Sequence, residues 1–209
     1  MKILNLYAGI GGNRKLWGGD IEVTAVENDI TILDIYNDLY PDDSIFLGDA
    51  HKYLEENYNK FDFIWTSPPC QSHSQIRYNL GFKNRGTKAI YPDLQLYEEI
   101  LFLKHYFTGK YVVENTRSFY NPLIEPKFIG GHYIWSNFEI ENIKIKNRDH
   151  RSGTVESLQK RKMIDLSNYN IKNKRQILRN CVEPELGLHI LNQAKGIKLD
   201  TEQQDLFEL

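Results

Sequence analysis

Cys70 ends the stretch Phe61-Asp62-Phe63-Ile64-Trp65-Thr66-Ser67-Pro68-Pro69, an apolar run cut off by two prolines. Neither proline can donate to a sheet ladder, so the pattern predicts a buried strand that stops here and delivers the thiol to a surface loop. A free cysteine is most often small apolar filler. Loops at strand ends, however, are where α/β proteins keep their chemistry, and a thiolate there is a soft nucleophile. Glu114 follows Tyr111-Val112-Val113 in the same manner. It reads either as a capping acid or as a second catalytic group beside Cys70, since adjacent strands bring their tips together. The turn Tyr7-Ala8-Gly9-Ile10-Gly11-Gly12 lets backbone pass close to a ligand. Glu27 lies about twenty residues further on, where an acid can accept both hydroxyls of a ribose. Asp49, after Ser44-Ile45-Phe46-Leu47, either caps the next helix or accepts from an exocyclic amine.

These residues need a scaffold that repeats strand, turn and helix. Strands are predicted over 2–8, 21–26, 44–47, 61–66 and 111–113. Between them fall a short helix at 14–17 capped by Asn13, a helix from Ile30 to Tyr40 stopped by Pro41, one at 51–55, and one from Asp93 to Phe107. Because the polar or reactive residue always follows the strand, the expected fold is α/β, a doubly wound and mostly parallel sheet with its site along one edge. Beyond it, 132–140 and 143–145 read as paired strands and 155–166 as a helix, while 174–180 leads through Cys181-Val182-Glu183 into a final helix that has Pro184 in its first turn and reaches Ala194. Residues 201–209 read as a frayed end. One domain over 1–209 is expected, with a cofactor and catalytic core at 1–130, a recognition region at 131–180 and a C-terminal helix and tail at 181–209.

The composition, 41% hydrophobic and 26% charged, is that of an ordinary soluble globule. No apolar run is long enough to cross a bilayer, and the N-terminus does not read as a signal peptide, so a cytoplasmic location is expected. Cys70 and Cys181 form no CxxC pair, so both read as reduced thiols and no metal site is expected. Residues 1–69 carry a net charge of -7 and the remainder +5. Within 71–92 stand Arg77, Lys83, Arg85 and Lys88 and no acid. This reads as a long, flexible basic loop whose partner is a polyanion, with Gln71 and His73 at its root. His132 and Trp135 are further candidates, although a lone histidine or tryptophan is more often structural.

Taken in order, these segments resemble the DNA cytosine-C5 methyltransferases. Leu6-Tyr7-Ala8-Gly9-Ile10-Gly11-Gly12 is similar to their first cofactor motif, Ser67-Pro68-Pro69-Cys70-Gln71 to their nucleophile loop, and Val113-Glu114-Asn115, followed by Thr116, to their Glu-Asn-Val motif. The resemblance implies a Rossmann-like fold using S-adenosylmethionine, held by Tyr7, Ala8, Gly9, Gly11, Gly12, Glu27, Asn28, Asp49, Ala50, Pro68 and Asn180. It implies that Cys70 attacks cytosine C6, that Glu114 in its acid form donates toward N3, and that Arg148 or Arg151 faces O2. The target base would be flipped out of double-stranded DNA, with 71–92 closing over it.

Departures are informative. Asn5 stands where the family has an acid, the Gln-x-Arg-x-Arg motif has no clean counterpart, and Arg179-Asn180-Cys181-Val182-Glu183-Pro184 only faintly resembles the late motif that returns to the cofactor. About 25 residues separate Arg151 from Gln176, where the family inserts a recognition domain. This resembles the compact form found in bacteriophage genomes, including restriction-modification settings, and implies a short target site unless a second copy of the chain supplies more DNA-binding surface. Three other readings stay open: an amino-methyltransferase, which Cys70 disfavours, an RNA cytosine methyltransferase, and an inactive DNA-binding relative.

Overall fold

The computed structural model describes residues 1–143, 145 and 153–197. Its centre is a seven-stranded sheet in the order β3-β2-β1-β4-β5-β7-β6. The strands are β1 (Lys2–Leu6), β2 (Glu22–Glu27), β3 (Ser44–Leu47), β4 (Phe63–Thr66), β5 (Lys110–Asn115), β6 (Lys127–Ile129) and β7 (His132–Ser136). The first five pair in parallel, and β7 is antiparallel to both β5 and β6. This is the doubly wound, Rossmann-like arrangement that the strand-turn-helix repeats predict.

Alternation along the strands sorts side chains onto two faces. Ile3, Phe63, Trp65 and Val112 pack with Leu186, Ile190 and Leu191 of α6 (Pro184–Ala194). Leu4, Leu6, Ile64 and Val113 pack with Ala50 and Leu54 of α2 (Ala50–Asn57) and with Leu96, Ile100 and Leu103 of α3 (Gln95–Tyr106). At about 1.5–3 kcal/mol per fully buried large apolar side chain, these two layers fix the strand ends in space. A third cluster joins Ile10 and Ile35 of α1 (Ile30–Leu39) to Leu158 of α4 (Val155–Lys162) and Leu178 of α5 (Lys174–Asn180). It lays the segment read as a recognition region against the first helix.

Several local expectations are corrected. Residues 13–17 form turns, not a helix, because the Asn13 side chain is committed to a buried pair with Asn5, Nδ2 donating to Oδ1 at 2.8 Å. The hairpin partner of β7 is β6, joined through Gly130 and Gly131 at φ 51° and 79°. Positive φ at both positions makes this a glycine turn, and Ile143 and Ile145 lie outside the sheet. A boundary at residue 130 would therefore cut a hairpin, and His132–Ser136 belongs to the main sheet. The basic segment is not an extended flexible loop: Arg77–Lys83 forms a π-helical turn, and Ser72 Oγ accepts from the Asp93 amide at 3.0 Å. The Asp93 side chain accepts from Gln95 N at 3.1 Å, one position ahead of the cap at Leu94. The helix expected over 155–166 stops at Met163, whose φ is 55°. Residues 201–209, read as frayed, lie outside the described residues.

Candidate active site

The glycine turn after β1 is clamped from three sides. Tyr40 donates from its hydroxyl to Gly11 O at 2.8 Å, and Arg14 forms a two-pronged pair with Asp43, Nε to Oδ2 at 2.9 Å and Nη2 to Oδ1 at 3.0 Å. A Cβ at Gly11 would lie 2.3 Å from a Tyr40 ring carbon, and one at Gly12 would lie 2.6 Å from the Cβ of Cys181. A Cβ at either position would thus collide with the protein's own Tyr40 or Cys181 side chain, so packing alone accounts for both glycines. Gly9 differs. It has φ 55° and open space where a Cβ would project, so it is the glycine that can admit a ligand. Tyr7 and Ala8 lie beneath it, Ala8 buried with its amide donating to Val26 O at 3.0 Å.

Glu27, at the end of β2, is oriented by backbone. Gly9 N donates to Oε2 at 3.0 Å, while Asn28 N and Asp29 N donate to Oε1 at 2.9 and 3.2 Å. Asp49 at the end of β3 is exposed and caps α2 by accepting from Lys52 N at 2.8 Å, with Ala50 buried behind it. The edge is thus a row of strand tips: Gly9, Glu27 and Asp49 stand on neighbouring parallel strands. Asn180 is exposed and accepts from Gln176 Nε2 at 2.7 Å. Its segment returns to the glycine turn through Cys181 and Val182 instead.

On the other side of β1, β4 and β5 bring Cys70 and Glu114 together. Pro68 is buried, and its carbonyl accepts from Asn115 Nδ2 at 2.9 Å, which ties the proline turn to the tip of β5. The Cys70 carbonyl accepts from the amides of His73 and Ser74 at 3.1 and 3.0 Å, so the loop doubles back immediately after the thiol. Ser74 then bridges to Ser118, and Gln75 N and Phe119 N bond Arg117 O and His73 O. His73 is 1% exposed and shares a 2.6 Å hydrogen bond between Nδ1 and the Tyr120 hydroxyl. Burial takes its side chain off the protein surface. It anchors the nucleophile loop, whereas Gln71, Lys83, Arg85 and Lys88 are exposed and Arg77 is half-buried.

The charge state departs from expectation. Burial, reinforced by the charge of Glu114, pushes the Cys70 thiol up to about 11. Glu114 is itself held below the usual carboxylate range: burial opposes ionisation but is outweighed by the charge and hydrogen bond of His132, with help from Ser67 and Lys162. His132 Nδ1 lies 2.5 Å from Glu114 Oε1, and the two side chains are 18% and 9% exposed. The free protein therefore keeps Glu114 as a carboxylate, not as the acid. The group beside it is the His132 imidazole at the start of β7. Arg148 and Arg151 lie outside the described residues.

Two further buried groups escape the sequence. Glu99 on α3 is fully buried and accepts from the hydroxyls of Tyr7 and Thr66, both at 2.6 Å, with His51 Nδ1 at 3.2 Å. It ties the ends of β1 and β4 to α2 from below. Lys162, at the end of α4, is 1% exposed; its Nζ forms an ion pair with Glu183 Oε1 at 2.9 Å and donates to the Cys181 carbonyl. Its charge reaches both Glu114 and Cys181, and burial pushes the Cys181 thiol, like that of Cys70, up to about 11. Glu99 gives no signal, since Tyr-Glu-Glu-Ile reads as ordinary helix, and Lys160-Arg161-Lys162 reads as a solvated helix end. Among the described residues no cluster of three or more histidine, cysteine, aspartate or glutamate side chains could hold a metal, and no helix is long and apolar enough to span a membrane.

Comparison with solved structures places this architecture among methyltransferases. A methyltransferase from Entamoeba histolytica superposes over 95% of this chain and 99% of its own, with a TM-score of 0.58 at 12% identity. DNMT2 from Spodoptera frugiperda, in a mutant form, shares 26% identity over 58% of this chain, at a TM-score of 0.40. This chain spans 37% of that protein's length. A putative DNA modification methyltransferase encoded within an Escherichia coli prophage shares 21% identity over 56% of this chain and 32% of its own, at a TM-score of 0.37. No curated protein sequence matches significantly. The family profile for C-5 cytosine-specific DNA methylases matches residues 1–122, the span that carries β1 to β5 and every strand tip described above. With more than half of the chain so matched, and with Cys70 and Glu114 following adjacent parallel strands, the protein belongs to the C-5 cytosine-specific DNA methylase family.

Proposed function

We propose that the protein methylates C5 of cytosine in double-stranded DNA, with S-adenosylmethionine as methyl donor and Cys70 as covalent nucleophile. The observation that carries this reading is the juxtaposition of Cys70 and Glu114 at the tips of β4 and β5, close enough for the charge of one to raise the thiol of the other. Cytosine C5 is a poor nucleophile until a group adds to C6. A thiolate from Cys70 forms that C6–S bond, and the displaced electron pair moves toward N3 and O2. The Glu114–His132 pair holds a proton, when His132 is imidazolium, beside the carboxylate that faces N3. A proton relayed from His132 to N3 leaves Glu114 the carboxylate it began as, and the positive charge gained by the ring offsets the electron pair displaced when the C6–S bond forms. After methyl transfer, loss of the C5 proton and cleavage of the C6–S bond return Cys70.

The residues fit the donor. Gly9 leaves open space at the turn, and Glu27 is aimed by three backbone amides. Asp49 keeps an exposed carboxylate two strands away. When bound, S-adenosylmethionine supplies an electrophilic methyl group. Tyr7, Ala8, Gly9, Glu27, Asn28, Asp49, Ala50 and Pro68 hold and orient it. A flipped-out target costs a few kcal/mol of unstacking, and the cations at 77, 83, 85 and 88 supply phosphate contacts that offset part of this.

Duplex DNA carrying 5-fluorocytosine at the target tests the reading. Fluorine at C5 cannot leave as a proton would, so Cys70 should remain joined to C6. We expect a covalent complex resistant to denaturant, dependent on S-adenosylmethionine and lost in Cys70→Ala. Absence of the complex alongside methylation of ordinary DNA would exclude the covalent route. RNA carrying the same base serves as the competing substrate.

A further inference from the structure

Residues 71–92 hold four cations and no acid, a composition that predicts a solvated strip. The same segment nevertheless leaves Ile76, Leu80, Phe82, Ile90 and Tyr91 at least 42% exposed. Apolar side chains collected on a basic strip need a partner that is both flat and anionic. The rings are arranged for one. Tyr78 lies nearly parallel to Phe119, with centroids 4.5 Å apart and planes 14° apart, and nearly parallel to Phe82 at 5.6 Å and 18°. Lys83 Nζ stands 5.0 Å from the Tyr78 centroid. These three rings wall a cavity of about 250 Å³ whose rim carries Arg77 and Lys88 and whose lining starts at Gln71, directly after the nucleophile.

We propose that this cavity binds a second, unpaired nucleobase adjacent to the target cytosine, stacked on the Phe82–Tyr78–Phe119 ladder with its phosphate at Arg77 and Lys88. The proposal rests on nucleic acid being the substrate. The volume is below that of drug-sized ligand sites, so it suits one flat ring system. Near-parallel aromatic rings beside cations are how sequence-tolerant binding of splayed-out bases is built. An apolar peptide would fill the cavity but leave the four cations unanswered. A π-helical turn is a rare conformation that concentrates at functional sites, and here it supplies both Tyr78 and Phe82 on the wall. Neither Cys70 nor Glu114 lines this cavity.

The test uses two duplexes with the same target cytosine, one fully paired and one with a single extra 2-aminopurine beside the target. Wild-type protein, Phe82→Ala and Phe82→Trp are titrated against both, reading 2-aminopurine fluorescence and affinity. Stacking predicts quenching by wild type, about a tenfold loss of affinity for the bulged duplex in Phe82→Ala, less than a twofold change for the paired duplex, and recovery in Phe82→Trp. If 2-aminopurine stays bright while both duplexes bind, or if Phe82→Ala weakens both equally, the second-base site is wrong and the proposed function stands. If neither duplex binds, the nucleic-acid reading itself falls, and this inference with it.

Discussion

Glu27 and Glu114 occupy equivalent places, each near the end of a parallel strand and each facing the ligand edge, yet the protein holds them by different means. Glu27 is fixed by three backbone amides, donors that do not titrate. Glu114 is fixed by an imidazole that can give up its proton, in surroundings that also press on a thiol. The comparison teaches how one sheet edge divides its labour. The half assigned to the donor is oriented by main chain, so its geometry is set by groups that do not titrate. The half assigned to the base is built from coupled titratable side chains, so proton movement is available where the reaction needs it.

The largest expected effect comes from removing the titratable carboxylate. Glu114→Gln should lower the rate of methyl transfer by about 10²–10⁴ with little change in affinity for S-adenosylmethionine. In the free protein the same change removes a negative charge that holds the Cys70 thiol up. Alkylation of Cys70 by iodoacetamide at fixed pH, followed by peptide mapping to separate it from Cys181, should therefore become faster. Slower alkylation would mean that the two groups are not coupled as described.

Next is the imidazole. His132→Gln leaves a buried carboxylate without its first charge partner, at a cost of about 3–5 kcal/mol near neutral pH. The pH dependence has a definite sign. Because the folded carboxyl of Glu114 is held below its unfolded value of about 4.3, its stabilising share is complete above that value and is lost as pH falls through the folded one. The variant lacks that share, so urea unfolding should show a gap from wild type that is wide at pH 7 and narrows in acid. A gap independent of pH would rule out the pairing as its source.

The backbone-held region should respond differently. Glu27→Ala removes the charged acceptor assigned to a ribose, and at roughly 1.5–3 kcal/mol for a charge-assisted bond the affinity for S-adenosylmethionine should fall about 10- to 100-fold. The pH profile of the remaining activity should stay that of wild type, because no titrating group near the base has changed. A shifted profile would show that the two halves are coupled.

The smallest effect is at the anchor of the nucleophile loop. Tyr120→Phe deletes the hydroxyl that pairs with His73 Nδ1, at a net cost of about 1 kcal/mol, and thermal unfolding should show it as a modest drop in Tm.

How much of this was legible in the sequence follows the same division. Strands β1, β2, β4 and β5 are covered on both faces, so they appear as continuous apolar runs, and the residue after each run is where the site lies. The strand tips Gly9, Glu27, Cys70 and Glu114 are readable for that reason, whereas Asp49 follows the exposed edge strand β3 and is marked only by its capping position. What sequence could not disclose is who holds them. Glu99 meets Tyr7 and Thr66 across 92 and 33 residues. His132 meets Glu114 because β7 runs antiparallel beside β5, a pairing that depends on the three-residue strand β6 and a Gly-Gly turn too short to register as a hairpin. The packing at Gly11 and Gly12 is hidden for a related reason: the contacts that disfavour a side chain there come from Tyr40 and Cys181, distant in sequence. His73 looked like a surface residue of a basic loop, and its burial became visible only with Tyr97 and Tyr120 in place.

The central claim is that Cys70 and Glu114 direct a methyl group to cytosine C5. Its most direct test is to incubate the protein with methyl-labelled S-adenosylmethionine and double-stranded DNA, digest to nucleosides and identify the labelled base. The account predicts label in 5-methylcytosine for the wild-type protein and none in Cys70→Ala. Label in an N-methylated base, or undiminished label in Cys70→Ala, would contradict it.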